Sequence, residues 1–87
     1  MKLTVFSTKR CKLCEPLKQQ LRGLLEEMQS SQTFIDLNYD ENRDLAKSYG
    51  VRFVPSVVIE EPNKSPIVFY GKAIIDNLKP LLNENKN

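Results

Sequence analysis

The chain has 87 residues, a formal net charge of +2, 40% hydrophobic and 28% charged residues, and no histidine. Length and composition fit one folded domain over residues 1–87 rather than a disordered segment, and so small a charge gives no case for a nucleic-acid or membrane-surface partner. Without histidine there are no Cys-His nucleophile pairs, no imidazole acid–base catalysis and no mixed Cys/His zinc sites, so any chemistry rests on thiols, carboxylates, hydroxyls or the backbone.

Leu3–Phe6 reads as the first strand, apolar at most positions as a strand covered on both faces would be. Ser7 to Arg10 is polar and ends it. Its N-terminal apolar stretch is too interrupted for a signal-peptide core, and nowhere does the chain approach the ~20 apolar residues of a membrane span. Two cysteines are too few for a secreted disulfide framework, so the cytoplasm or another reducing compartment is the expected setting.

Cys11 and Cys14 come next, with Lys12 and Leu13 between them. From Cys14 the pattern turns helical. Cys14, Leu17, Leu21, Leu24, Leu25 and Met28 recur at spacings of three and four, with Gln19, Gln20, Arg22, Glu26 and Glu27 on the other side. Pro16 suits a first helical turn, and Ser30 to Gln32 ends the segment. Thr33–Leu37 reads as a second strand. Asp40 is then expected to cap a short helix over Glu41–Tyr49, with Leu45 and Tyr49 as its apolar pair, Ala46 alongside, and Gly50 ending it. Ser56–Glu60 and Ile67–Tyr70 read as a hairpin across the breaker-rich stretch 61–66. Tyr39, Tyr49 and Tyr70 read as packing residues. Ile74, Ile75, Leu78, Leu81 and Leu82 mark a final helix, in which Pro80 is expected to produce a kink or a delayed start. Asn83–Asn87 reads as a polar tail. The order βαβαββα gives an α/β fold. Its first two strands should be parallel and its last two antiparallel, in a mixed four-stranded sheet with helices on both faces.

A strand, a Cys-x-x-Cys and a helix in succession is the setting of thiol redox chemistry. The thiolate is the nucleophile, and a free cysteine has a pKa of about 8.5. Unpaired N–H groups at a helix start, and the charges of Lys9, Arg10 and Lys12, both favour the thiolate. Cys11, at the exposed edge of the turn, is expected to attack. Cys14, on the apolar face, is expected to be buried and to resolve the mixed disulfide. The basic cluster has two other readings: a solvated loop, or a docking point for an acidic partner or the carboxylates of glutathione. Glu15 could accept a proton weakly, although a solvated first-turn glutamate is the plainer reading. Taken alone, Pro55 is a strand-start proline and Gly71 a turn glycine.

Three features together resemble the thioredoxin/glutaredoxin superfamily over nearly the whole chain. They are the Cys-x-x-Cys between the first strand and helix, the stretch Tyr49-Gly50-Val51-Arg52-Phe53-Val54-Pro55-Ser56, and the hairpin closed by Gly71 before a last helix. The size is similar to that of small glutaredoxin-like proteins. The chain departs from the family where thioredoxins carry a buried Asp (here Val5) and a Trp (here Ser7). It also departs in the Lys12-Leu13 pair, and in having a single glycine before Lys72. The resemblance implies the thioredoxin fold, a cis Val54–Pro55 bond facing the cysteines, a Val54 backbone open to an extended substrate, and close substrate approach at Gly71. Arg10, Lys12, Val54, Pro55 and Gly71 are thus the candidate substrate-binding residues. The implied function is that of a monomeric thiol–disulfide oxidoreductase acting on protein disulfides or glutathione mixed disulfides. Its only redox group would be the Cys11–Cys14 pair, with a reductase as electron donor and glutathione as a candidate co-substrate. Two other readings stand beside it: an iron–sulfur or zinc module sharing ligands with glutathione or a partner chain, and an inert interaction scaffold.

Overall fold

Apolar runs from Leu3 and from Ser56 leave two strands no wet face, so both must lie in the middle of a sheet. In the computed structural model, which describes residues 1–84, they do. β1 (Lys2–Ser7) is buried from Leu3 onward, and β3 (Ser56–Glu60) from Ser56 to Ile59. β2 (Phe34–Asn38) and β4 (Ile67–Tyr70) flank them in the order β2-β1-β3-β4. β1 runs parallel to β2, with Val5 opposite Asp36, and antiparallel to β3, with Val5 opposite Val57. β3 and β4 form the antiparallel hairpin, with Ser56 opposite Tyr70. This is the mixed four-stranded sheet of the thioredoxin fold.

The two-residue period of the strands sorts the core into two layers. Leu3, Val5, Val57 and Ile59 face α1 (Cys14–Glu27) and α3 (Ala73–Glu84), meeting Leu17, Leu21, Leu24, Ile74 and Leu78. Phe6 and Val58 face the other way, onto Ala46 of α2 (Arg43–Ser48) and Val51. α1 therefore rests its stripe on the central strands, and that stripe includes Cys14.

Local signals explain most boundaries. α2 ends where Gly50 takes φ +78°. There the Gly50 N–H donates to Lys47 O at 2.9 Å and the Val51 N–H to Ala46 O at 2.8 Å, a paired closure of the last turn. α1 ends with the same two bonds, Gln29 N–H to Glu26 O and Ser30 N–H to Leu25 O, both 2.9 Å, with Gln29 at φ +52°.

Four expectations are corrected. Asp40 caps no helix: α2 starts from Asn42 without a side-chain cap, and the Asp40 carboxylate is held by Arg10 and Arg43 instead. On α2 the fully buried residue is Ala46, while Leu45 is 41% exposed, because close approach to Phe6 and Val58 favours the smaller side chain. Pro80 does not delay α3, which begins at Ala73 and runs through it. The helix also takes in Asn83 and Glu84; residues 85–87 of the expected tail lie outside the described residues.

Leu21, fully buried on the inner face of α1, should carry far more stability than Leu45. Leu21→Ala is expected to cost about 2–5 kcal/mol in urea unfolding, and Leu45→Ala less than about 1 kcal/mol.

Candidate active site

The chain leaves β1 through a short turn in which the Cys11 N–H donates to Thr8 O at 3.3 Å and the Cys14 N–H to Cys11 O at 3.4 Å. Cys11 and Cys14 are joined as a disulfide, with their Cα atoms 5.4 Å apart. Their surroundings differ. Cys14 is the first residue of α1 and is 1% exposed, whereas Cys11 precedes the helix and is half-buried at the surface. α1 starts from Leu13, with no side-chain cap, and Pro16 removes one of the donors that a helix start leaves unpaired. Leu13 is 52% exposed, and Lys12 beside it is exposed as well.

Two pockets flank the pair. The first is a mainly apolar groove of about 450 Å³ whose lining includes Leu13, Leu17, Pro55, Gly71 and Ile75, together with the charged Lys72 and Asp76. The Val54–Pro55 bond is cis, as the resemblance implied. The Gly71 N–H donates to Pro55 O at 2.9 Å, which ties the start of α3 to this wall. Gly71 sits at φ +58° with no atom within 4 Å of where a Cβ would stand, so the backbone angle favours glycine there and the groove stays open beside it. The loop into Pro55 is fastened by Tyr70, whose hydroxyl donates to Gly50 O at 2.9 Å and accepts from the Arg52 N–H at 3.4 Å. The Tyr70 ring meets Phe53 edge-on at 5.9 Å. Tyr70 thus positions the loop as well as packing. Phe53 is left 68% exposed. Val54 packs partly into the second core layer.

The second pocket, about 610 Å³, is polar and lies on the other side of Cys11, among Ser7, Lys9, Glu15, Lys18, Asp36 and Asn38. Lys18 is the notable member, only 7% exposed. Its ammonium lies 2.8 Å from Asp36 Oδ2 and 2.7 Å from Glu15 Oε1, and Ser7 Oγ donates to Asp36 Oδ1 at 3.0 Å. The Asp36 and then the Glu15 hydrogen bond hold the Lys18 pKa above its ordinary 10.5, against the opposing effect of burial. Lys18 therefore stays charged throughout the physiological range. Neither Lys18 nor Asp36 stands out in the sequence. The available signals were Glu15 and Lys18 at i,i+3 and a lone acid inside the apolar run Phe34–Leu37.

Of the expected binding residues, Pro55 and Gly71 share the apolar groove. Arg10 is drawn elsewhere: its guanidinium pairs with Asp40 Oδ2 at 2.9 Å, while Arg43 takes Oδ1 at 3.2 Å. This bridge ties the loop before Cys11 to the start of α2. Among the described residues, no group of three or more Cys, Asp or Glu is placed to hold a metal ion. A shared metal site would have only two thiols from this chain.

The hydrogen bonds from Arg43 and then Arg10 hold the Asp40 carboxyl below its ordinary 3.8. With the folded-state value lowered, the stabilisation is present above pH 3.8 and is lost as the pH falls through the lower, folded value. Asp40→Asn should remove this contribution, so urea midpoints of variant and wild type should converge on acidification below about pH 4, and also in high salt, because the pairs are exposed.

With the fold and site in view, comparison with known proteins is direct. The family model described as thioredoxin matches residues 2–84. Among curated protein sequences, none matches the chain. Solved structures give the same fold. Thioredoxin from Trypanosoma brucei brucei has a TM-score of 0.78 at 16% identity, over 99% of this chain and 75% of that one. Trichomonas vaginalis thioredoxin gives 0.69 at 29% identity, over 97% and 78%. Thioredoxin 1 from Thermosipho africanus gives 0.73 at 16% identity, over the full length of both chains. A disulfide pair at this site supports thiol–disulfide oxidoreductase chemistry in general terms, and the chain belongs to the thioredoxin family.

Proposed function

We propose that the protein is a dithiol–disulfide oxidoreductase that reduces protein disulfides or glutathione mixed disulfides, with Cys11 attacking and Cys14 resolving. The observation that carries this reading is the asymmetry of the pair: Cys14 is sealed on the buried face of α1 at 1% exposure while Cys11 stands half-buried at the surface. An incoming disulfide can reach Cys11 alone. The Cys11 thiolate displaces one sulfur of the substrate as a thiolate and forms a mixed disulfide. Cys14 then attacks Cys11, closing the internal disulfide and releasing the second sulfur reduced. Two electrons pass from the dithiol to the substrate, and a reductase or glutathione restores them.

The apolar groove supports an extended peptide as the preferred substrate. Leu13 and the Pro55–Gly71 wall offer a contact surface beside Cys11, and the backbone at Val54 is the candidate for strand-like pairing. Arg10 is committed to Asp40, so of the two basic candidates Lys12 is the one left to meet an acidic partner. Such a dithiol works in a reducing compartment such as the cytoplasm.

Cys11→Ser is expected to abolish both insulin reduction and hydroxyethyl-disulfide turnover. Cys14→Ser should still form a mixed disulfide once and then stall on protein substrates. Wild-type protein that reduces neither substrate with dithiothreitol, glutathione or thioredoxin reductase as donor would overturn the reading.

A further inference from the structure

The loops at one end of the sheet carry a charge that the whole chain conceals. β1 and β2 end there at Ser7 and Asn38, β4 ends there at Tyr70, and β3 begins there at Ser56. The connecting segments bring Lys9, Arg10, Lys12, Arg52 and Lys72 to this end, against Asp40 and Glu41, so more than the chain's formal net charge of +2 is gathered around the cysteine pair. The acids nearby are already engaged. Asp40 is held by Arg10 and Arg43, and Glu15 and Asp36 by Lys18. Glu41 borders the polar pocket. Lys9, Lys12, Arg52 and Lys72 are exposed, and among the described residues none of them makes an ion pair. Two of these cations belong to the Pro55 side of the pair. Lys72 lines the groove beside Leu13, Pro55 and Gly71. Arg52 lies in the loop that leads into Pro55, where its N–H donates to the Tyr70 hydroxyl at 3.4 Å. Asp76 also lines the groove, four positions after Lys72, and makes no ion pair with it.

We propose that the preferred substrate is an extended peptide whose disulfide cysteine is flanked by acidic side chains, with Lys72 and Arg52 as the residues that select it. This rests on the oxidoreductase reading above and names its substrate class. The groove takes a chain through its apolar lining, and the charged rim decides which chain. A basic peptide arriving at Cys11 meets Lys9, Lys12, Arg52 and Lys72 as like charges. An acidic one meets cations that have no internal partner to give up. Exposed charges of this kind act mainly on the encounter: they speed association with a partner of opposite charge, and salt cancels the gain. Asp76 opposes the preference from the same groove, so removing its charge should sharpen the selection. Lys9 and Lys12 add to the same field, but they also favour the Cys11 thiolate. Lys72 and Arg52 therefore isolate substrate choice from thiol reactivity.

Single-cysteine peptides of one backbone sequence, flanked by glutamates, by glutamines or by lysines and each oxidised to its homodimeric disulfide, test this in single turnover with the pre-reduced protein. Each second-order rate constant is divided by that of dithiothreitol on the same peptide, which removes the peptide's own reactivity. The glutamate-to-lysine ratio of these values is expected to be about tenfold at low ionic strength and to approach one in high salt. Lys72→Glu and Arg52→Glu should each lower the ratio several-fold, Arg52→Lys should keep it, and Asp76→Asn should raise it. A wild-type ratio of one or below at low ionic strength, a ratio that salt leaves unchanged, or a ratio that neither charge reversal lowers would overturn the proposal. A wild-type protein that reduces none of the peptides faster than dithiothreitol would instead overturn the oxidoreductase reading.

Discussion

Packing of the α1 stripe onto β1 and β3 decides where both sulfurs stand. Cys14, Leu17, Leu21, Leu24 and Leu25 are buried along one side of the helix, and each fully buried leucine contributes about 1.5–3 kcal/mol relative to an exposed one. Cys14 is the first member of that stripe. It cannot reach solvent unless the first turn of α1 unwinds, which would expose its leucine neighbours in turn. Cys11 lies just ahead of the helix and belongs to the loop. The difference in exposure between the two sulfurs is thus a consequence of helix register rather than of the thiols themselves.

The same register gives the two sides of the pair different characters. On the Pro55 side the wall is apolar and bounded by backbone: Gly71 bonds to the Pro55 carbonyl, and Tyr70 pins the loop that leads to it. That side suits contact with a chain. On the β2 side the wall is polar and charged, because the edge strand presents Asp36 to a lysine that α1 holds close against the sheet. The Arg10–Asp40–Arg43 bridge fastens the loop that leads into Cys11, so the more accessible sulfur is presented from a tethered segment.

Most of the fold was legible because the strong signals agreed. The continuous apolar runs of β1 and β3 marked central strands, the breakers at 61–66 marked the hairpin, and β3 and β4 fall where the sequence puts them. The misses share a cause. Asp40 looks like a cap in local sequence, but its carboxylate is claimed by Arg10, thirty positions earlier in the chain. Leu45 looks like the core residue of α2, but the spacing between helix and sheet selects Ala46. At the site, Cys11 and Cys14 declared themselves by spacing, whereas Pro55 and Gly71 emerged only through resemblance to a family. The Lys18–Asp36 pair joins α1 to β2 across eighteen positions, and helical periodicity is silent about contacts of that range.

The central claim is that one thiol is presented and the other sealed. Partial alkylation of the reduced protein with limiting iodoacetamide near neutral pH, followed by peptide mass spectrometry, tests it most directly. The account predicts that Cys11 is carbamidomethylated first and nearly alone, with Cys14 labelled only after denaturation. Equal labelling of the two cysteines in the folded protein, or labelling of Cys14 ahead of Cys11, would contradict it.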